Sequence, residues 1–294
     1  MRIGTLVVVG VGLIGGSVSL ALKRRGLVGR VIGVGRGAAN MQRALALGVI
    51  DEVQSSVARA VAVADIVLLA IPVKQNDAVL TEVARGAHAT LVVTDAGSTK
   101  QDFIASARRQ LPSDLLTRTV PGHPIAGAEL TGADAATESL FDRRRVVLTP
   151  MEESDTQSVE RIEQMWRDCG ALVAKMPAAR HDAIFGAVSH LPHVLAFALV
   201  NAMAKRADAE EMFGFAGAGF RDFTRIAGSS AEMWRDICVA NRDNLVAQID
   251  AFAHELWELR DCISRADAVA LEQSFADARA ARQKFLLTGP RAAD

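Results

Sequence analysis

Short apolar runs punctuate the first part of the chain, and amphipathic stretches separate most of them. The runs Leu6–Val9, Val31–Val34, Ile66–Ala70, Leu91–Thr94, Arg118–Val120 and Val146–Thr149 have the length and β-branched content of strands, and Ala171–Met176 is a last candidate. Continuous apolar strands alternating with helices predict an α/β domain with a mostly parallel, doubly wound sheet covered on both faces. The first helix has a clear end. Lys23, Arg24 and Arg25 suit the negative end of its dipole, and Gly26 follows as a C′ residue.

After Pro177 the pattern changes. From His181 onward only helical periodicity remains, so the boundary between two domains, 1–177 and 178–294, falls at Pro177-Ala178-Ala179. Leu245, Ile249, Phe252, Leu256, Leu259 and Ile263 recur at alternating steps of four and three. That heptad makes a narrow seam for another helix, either in the same chain or in a second copy; a homodimer is favoured. Ser229 and Glu232 fit a capping box that starts this long helix. The end, Gly289 to Asp294, reads as frayed.

Composition narrows the class. The 294 residues are 50% hydrophobic and carry a formal net charge of −1, enough for a large core and without the basic surplus that nucleic acid or an anionic membrane attracts. Cys169, Cys238 and Cys262 are scattered, which fits a reducing compartment and argues against a disulfide framework or a zinc site. Arg2 with the apolar run behind it imitates a signal peptide, but glycines interrupt the run, and no segment reads as an acceptable membrane span. The expectation is a soluble, cytoplasmic protein.

Those interrupting glycines carry the first chemistry. The strand Leu6–Val9 runs into Gly10-x-Gly12-x-x-Gly15 and then into an apolar-periodic helix. Gly10 permits the tight turn, Gly12 lets the backbone approach a pyrophosphate, and Gly15 lets helix and strand pack closely. The amides at the helix start, including Leu13 and Ile14, face the phosphates with a positive dipole end. Ala70 and Pro72, at the end of the Ile66–Ala70 strand, are counted with the cofactor residues. An NAD site ordinarily places Asp or Glu at the end of the second strand. Here Val31–Val34 is followed by Gly35 and Arg36. Without a carboxylate, and with an arginine able to bond a 2′-phosphate, the pattern favours NADP, with NAD possible.

Three segments carry more chemistry than scaffold requires. Thr94–Lys100 and Pro121–Glu129 each follow a strand, so both lie at the carboxyl edge of the sheet, where doubly wound folds bind ligands. His123, set among Pro and Gly, is a candidate base. Ser98 either caps a helix with Gln101 or faces substrate; the two roles are compatible. The third segment, Val188–His193, places His190 and His193 three apart on one helical face, with Pro192 set to kink the helix. No third ligand accompanies them, so a metal is not assigned. Farther on, Arg221 and Arg225 stand beside glycines in Gly217–Ser229, a setting suited to a carboxylate or to surface ion pairs with Asp222 or Glu129.

With these segments assembled, the chain resembles the prephenate dehydrogenase family, also called cyclohexadienyl or arogenate dehydrogenases. The matching motifs are Gly10–Ser17, Thr94–Lys100, Gly122–Glu129, His181-Asp182, Ser189–His193 and Gly219–Ser229. The resemblance implies a nucleotide domain, an all-α dimerisation domain and an active site in the cleft between them. It implies that His123 bonds the ring hydroxyl and Ser98 orients histidine and substrate. Arg225 holds a substrate carboxylate, and His193 lines the pocket. Glu129 and Asp222 are acidic partners of Arg225, with His190 and Arg221 as further substrate contacts. The implied reaction is oxidative decarboxylation of prephenate or arogenate with hydride transfer to NAD(P), in tyrosine biosynthesis. No chorismate mutase or regulatory domain is expected at either end, so feedback by tyrosine would act at the active site. Two readings compete: a β-hydroxyacid-type dehydrogenase, which uses a lysine that Asp182–Ala204 lacks, and a non-catalytic NADP sensor.

Overall fold

A computed structural model describes residues 2–127 and 132–288, and these form two compact units that divide between Arg242 and Asp243. In the first unit the chain runs β1 (Ile3–Val9), α1 (Leu13–Arg24), β2 (Val28–Val34), α2 (Ala38–Ala46), β3 (Glu52–Gln54), α3 (Val57–Val61) and β4 (Ile66–Leu69). It continues through α4 (Asn76–Gly86), β5 (Val92–Asp95), α5 (Gln101–Gln110), α6 (Ser113–Leu116), β6 (Thr119–Val120), β7 (Gly122–Pro124), β8 (Arg145–Leu148), α7 (Thr156–Asp168) and β9 (Leu172–Lys175). Six parallel strands pair in the order β3-β2-β1-β4-β5-β6.

Strand periodicity builds the core on both faces. Leu6 and Val8 point to one side with Leu68, Phe141 and Trp166, while Val7 and Val9 point to the other with Leu69, Leu80 and Phe103. The helix end follows its sequence signals: Arg25 closes α1, and Gly26 takes φ +66° with its amide on Lys23 O at 2.9 Å.

Two strands escape the hydrophobic pattern. β3 is short and half polar, an edge strand, and β7 is Gly-His-Pro, which reads as a turn. β7 pairs antiparallel with β8, and β8 pairs parallel with β9, so Val146–Thr149 and Ala171–Met176 contribute to a separate three-stranded sheet and not to the main one.

Helices follow: α8 (Ala178–Phe185), α9 (Leu191–Ala204), α10 (Ala209–Gly214), α11 (Ala218–Thr224) and α12 (Ala231–Ala240). Pro192 does not break the run. One wide turn, Gly186–His190, closes with Leu191 N bonded to Gly186 O, and this π-type turn accommodates a proline that has no N–H for Val188 O. The continuous stretch Ala178–Ala204 matches a membrane-crossing helix in length and composition alone. Its buried polar residues His181, Asp182 and His190 bond to other elements of the same unit. The capping box is also corrected. Ser230, not Ser229, accepts Met233 N (3.3 Å), and the helix it starts stops at Asn241.

The second unit contains α13 (Arg242–Ser264) and α14 (Ala268–Thr288). Ala266 joins them at φ +53°, with its amide on Ile263 O (3.0 Å), and Asp267 accepts Ala270 N at 3.0 Å. Of the heptad residues, Leu245 is buried, whereas Phe252, Leu256 and Ile263 are exposed.

Candidate active site

The glycine loop is built as the motif requires. Gly10 has φ +95°, and a Cβ there would collide with the Ala70 carbonyl; one on Gly15 would collide with the Gly10 carbonyl. A Cβ on Gly12 would meet nothing within 4 Å. That position is bare toward the outside, and Gly12 leaves the α1 N-terminus without a side-chain cap or first-turn acid. The loop thus fits a dinucleotide pyrophosphate at the amides of Leu13 and Ile14. Asn40 fixes the loop from behind by donating to Val11 O (2.7 Å) and accepting Ala133 N (2.8 Å). Ala70 lies against the loop, its amide on Val9 O (2.8 Å), and Pro72 leads into the turn Val73–Gln75. Arg36 is exposed just past β2.

The neighbouring strand end carries the second part. Asp95, the last residue of β5, accepts Gly97 N (2.8 Å) and Gly122 N (3.0 Å). Lys100 Nζ donates to Asp95 and to Gly122 O (2.6 Å), and both charged side chains are fully buried. Burial pushes the Asp95 carboxyl up and the Lys100 ammonium down, and each charge opposes the other's shift. The peptide that precedes His123 is thereby pinned to the carboxyl edge of the sheet.

His123 leans on α8. Its Nδ1 lies 2.8 Å from His181 Nε2, and His181 Nδ1 lies 2.8 Å from Asp182 Oδ1. Asp182 also accepts Lys100 N and Gln101 N, each at 2.9 Å. The α5 start is thus capped by Asp182 and not by Ser98, which is half-buried and forms no hydrogen bond among the described residues. Phe185 packs its ring against both histidines. Burial, with His181, Lys100 and His190 nearby, holds His123 well below the ordinary histidine range. Burial lowers His181 too, against the opposing pull of Asp182.

The remaining predicted residues divide. His190 is buried, bonded to Asn241 Nδ2 (3.0 Å) and pushed down to about 4, chiefly by burial. His193 donates through Nδ1 to Ser189 O (2.9 Å) and stacks on Trp234 with ring centroids 3.7 Å apart; His190 meets the same indole edge-on. Since Ser189 O can only accept, His193 Nδ1 is the donor. Arg225 acts on His193 and helps lower it, after burial. Arg221 is exposed and donates to Ala216 O (3.2 Å), and Asp222 is exposed. Glu129 lies outside the described residues. His181 and Asp182, and Asp95 and Lys100, stand inside the motifs His181-Asp182 and Thr94–Lys100 without a role of their own there, whereas Asn241 and Trp234 carry no local signal in the sequence.

A dinucleotide sheet with a half-buried histidine, held below the ordinary histidine range, at its carboxyl edge is the arrangement of a nicotinamide-dependent dehydrogenase. The family models described as prephenate dehydrogenase, nucleotide-binding domain, and prephenate dehydrogenase, dimerization domain, match residues 18–175 and 177–277. The chain belongs to the prephenate dehydrogenase family. It is 37% identical to prephenate dehydrogenase of Bacillus subtilis over 94% of this chain and 74% of that protein. It is 32% identical to cyclohexadienyl dehydrogenase of Zymomonas mobilis over 94% of each. A crystal structure of prephenate dehydrogenase from A. aeolicus in complex with hydroxyphenyl propionate and NAD+ superposes with a TM-score of 0.90 at 33% identity, covering 97% of this chain and 99% of that one.

Proposed function

We propose that this chain catalyses the oxidative decarboxylation of prephenate, arogenate or both, in tyrosine biosynthesis. The observation that carries this reading is His123: a histidine held neutral by burial, on a strand pinned to the carboxyl edge of a dinucleotide sheet. A bound NAD(P)+ would supply the hydride acceptor. His123 takes the proton of the C4 hydroxyl as the C4–H pair leaves as hydride, and the O–H pair becomes the carbonyl. Loss of the ring carboxylate as carbon dioxide returns its electron pair to the ring, which becomes aromatic; the proton goes back to the oxygen. Arg225 anchors a carboxylate without neutralising it. His193, Ser98, Glu129, Asp222, His190 and Arg221 complete the substrate set. Residues 1–177 serve as the nucleotide domain and 178–294 as the substrate and dimerisation domain.

Arg36 supports a preference for NADP, because its guanidinium at the end of β2 can pair with a 2′-phosphate where an NAD enzyme has a carboxylate. Arg36→Ala then erodes the NADP preference; an unchanged NADP/NAD ratio removes that assignment. The exposed apolar residues of α13 and the description of the second family model support a homodimer. Biosynthetic chemistry of this kind supports a cytoplasmic location.

The deciding experiment mixes purified protein with NADP or NAD and with prephenate or arogenate, and follows nicotinamide reduction. Turnover with any pair is expected, and His123→Asn lowers kcat by about 10²- to 10⁴-fold. Cofactor binding without reduction in all four pairs turns the reading to a sensor or another dehydrogenase.

A further inference from the structure

We propose that His181 and Asp182 are positioning residues for His123, forming a fixed hydrogen-bond series that leaves His123 Nε2 as the proton acceptor. The series is Asp182 Oδ1, His181 Nδ1 and Nε2, His123 Nδ1, with both side-chain contacts at 2.8 Å.

The direction of the series is set at its Asp182 end. The Asp182 oxygens accept two backbone amides, from Lys100 and Gln101, an arrangement that holds the carboxyl ionised. An ionised carboxylate only accepts, so His181 Nδ1 must carry a hydrogen. A neutral imidazole with a hydrogen on Nδ1 has a lone pair on Nε2. His123 Nδ1 must then donate to it, and the lone pair of neutral His123 is left on Nε2. When Nε2 takes a proton, the positive charge on His123 is met by Asp182 through the His181 ring. The charged and titratable groups facing the series are Asp95 on β5, Lys100 and Asp102 at the start of α5, and His190 on the turn after α8. Lys100 is paired with Asp95, so Asp182 is the carboxylate joined to the series by hydrogen bonds. Because Asp182 also caps α5, that helix and the His123 tautomer depend on one side chain.

The role of Nε2 in turnover rests on the proposed reaction, whereas the tautomer does not. Nitrogen NMR of ¹⁵N-histidine-labelled protein, without substrate, should show His123 with its hydrogen on Nδ1. In His181→Phe, which leaves the Asp182 cap in place, that preference should be lost. The variant's kcat should fall about 100-fold with KM and cofactor affinity within about threefold, and the acid limb of its pH profile should shift. His181→Gln, whose amide oxygen can accept from His123 Nδ1, should recover about tenfold of the loss. A hydrogen on His123 Nε2 in the unmodified protein, or a kcat and pH profile unchanged in His181→Phe, overturns the proposal. If His181→Phe does not fold, the tautomer of the unmodified protein decides. If the unmodified protein turns over none of the four substrate pairs, the reaction reading falls and the NMR result still judges the series.

Discussion

Asp95 and Lys100 form a fully buried ion pair, and between them they hold both polar groups of Gly122: Asp95 accepts its amide and Lys100 donates to its carbonyl. The pair therefore sets where β7 begins. It also joins the end of β5 to the start of α5, the two elements between which the motif Thr94–Lys100 runs. A lysine this deep is tolerated because its charge is matched and its hydrogen bonds are used.

Removing one partner should cost far more than removing both. Lys100→Met leaves a buried carboxylate with only amide donors, a loss on the order of 3–5 kcal/mol of stability. Adding Asp95→Asn to that variant should restore part of it, since the uncompensated charge is gone. Urea denaturation of the parent and the two variants checks this. A Lys100→Met protein within about 1 kcal/mol of the parent would show that the pair contributes little.

The nucleotide half was legible because its signals are local. Leu6 and Val8 alternate with Val7 and Val9, and Gly10, Gly12 and Gly15 sit at the spacing of a dinucleotide turn between a strand and a helix. The site was half legible. His123 stood out by its neighbours, but its strand did not, since Gly-His-Pro has no apolar alternation. The residues around Ser98 suit a cap as well as a substrate contact. The real cap comes from Asp182, eighty-two positions from Lys100, and no window along the chain contains that pairing. Asn241 is similar: it bonds His190 and Asp182 O at 2.8 Å, yet it looks like an ordinary helix break in sequence.

Stability should fall on the acid side of neutrality. His190 has a folded value of about 4 against an ordinary value of 6.5, so the unfolded chain binds the extra proton first. Its contribution is complete above pH 6.5 and is lost as pH drops toward 4, a loss of up to about 3 kcal/mol from this one group. His123 and His181 are lowered as well and act in the same direction. Urea midpoints measured from pH 7.5 to 4.5 should decline steadily, and His190→Gln should flatten the slope. A midpoint independent of pH over that range contradicts it.

Arg225 should act on binding more than on chemistry. A guanidinium bond to a carboxylate contributes to ground state and transition state alike, so Arg225→Ala should raise KM about 10- to 100-fold with kcat changed much less. Cofactor affinity should stay as it was. An unchanged KM would make Arg225 a structural arginine.

The helical surface makes the last prediction. Phe252, Leu256 and Ile263 are 39%, 56% and 63% exposed although they share one heptad seam, and only 22% of the most apolar window in Ala178–Ala204 is buried. A seam packed within its own chain would be covered along its length; of its six residues Leu245 alone is buried, and exposed apolar area of that extent marks an interface. A second copy of the chain, as proposed above, would cover it without needing another gene product, and the second family model is described as a dimerization domain. Light scattering at micromolar concentration should therefore give twice the 31.3 kDa chain mass. Leu256→Glu places a charge on the seam and should shift the protein toward monomer, with cofactor binding retained because the glycine loop is remote in sequence and belongs to the other unit. A monomeric parent protein would leave the seam unexplained by self-association. A Leu256→Glu protein that stays dimeric would move the interface to the exposed face of Ala178–Ala204.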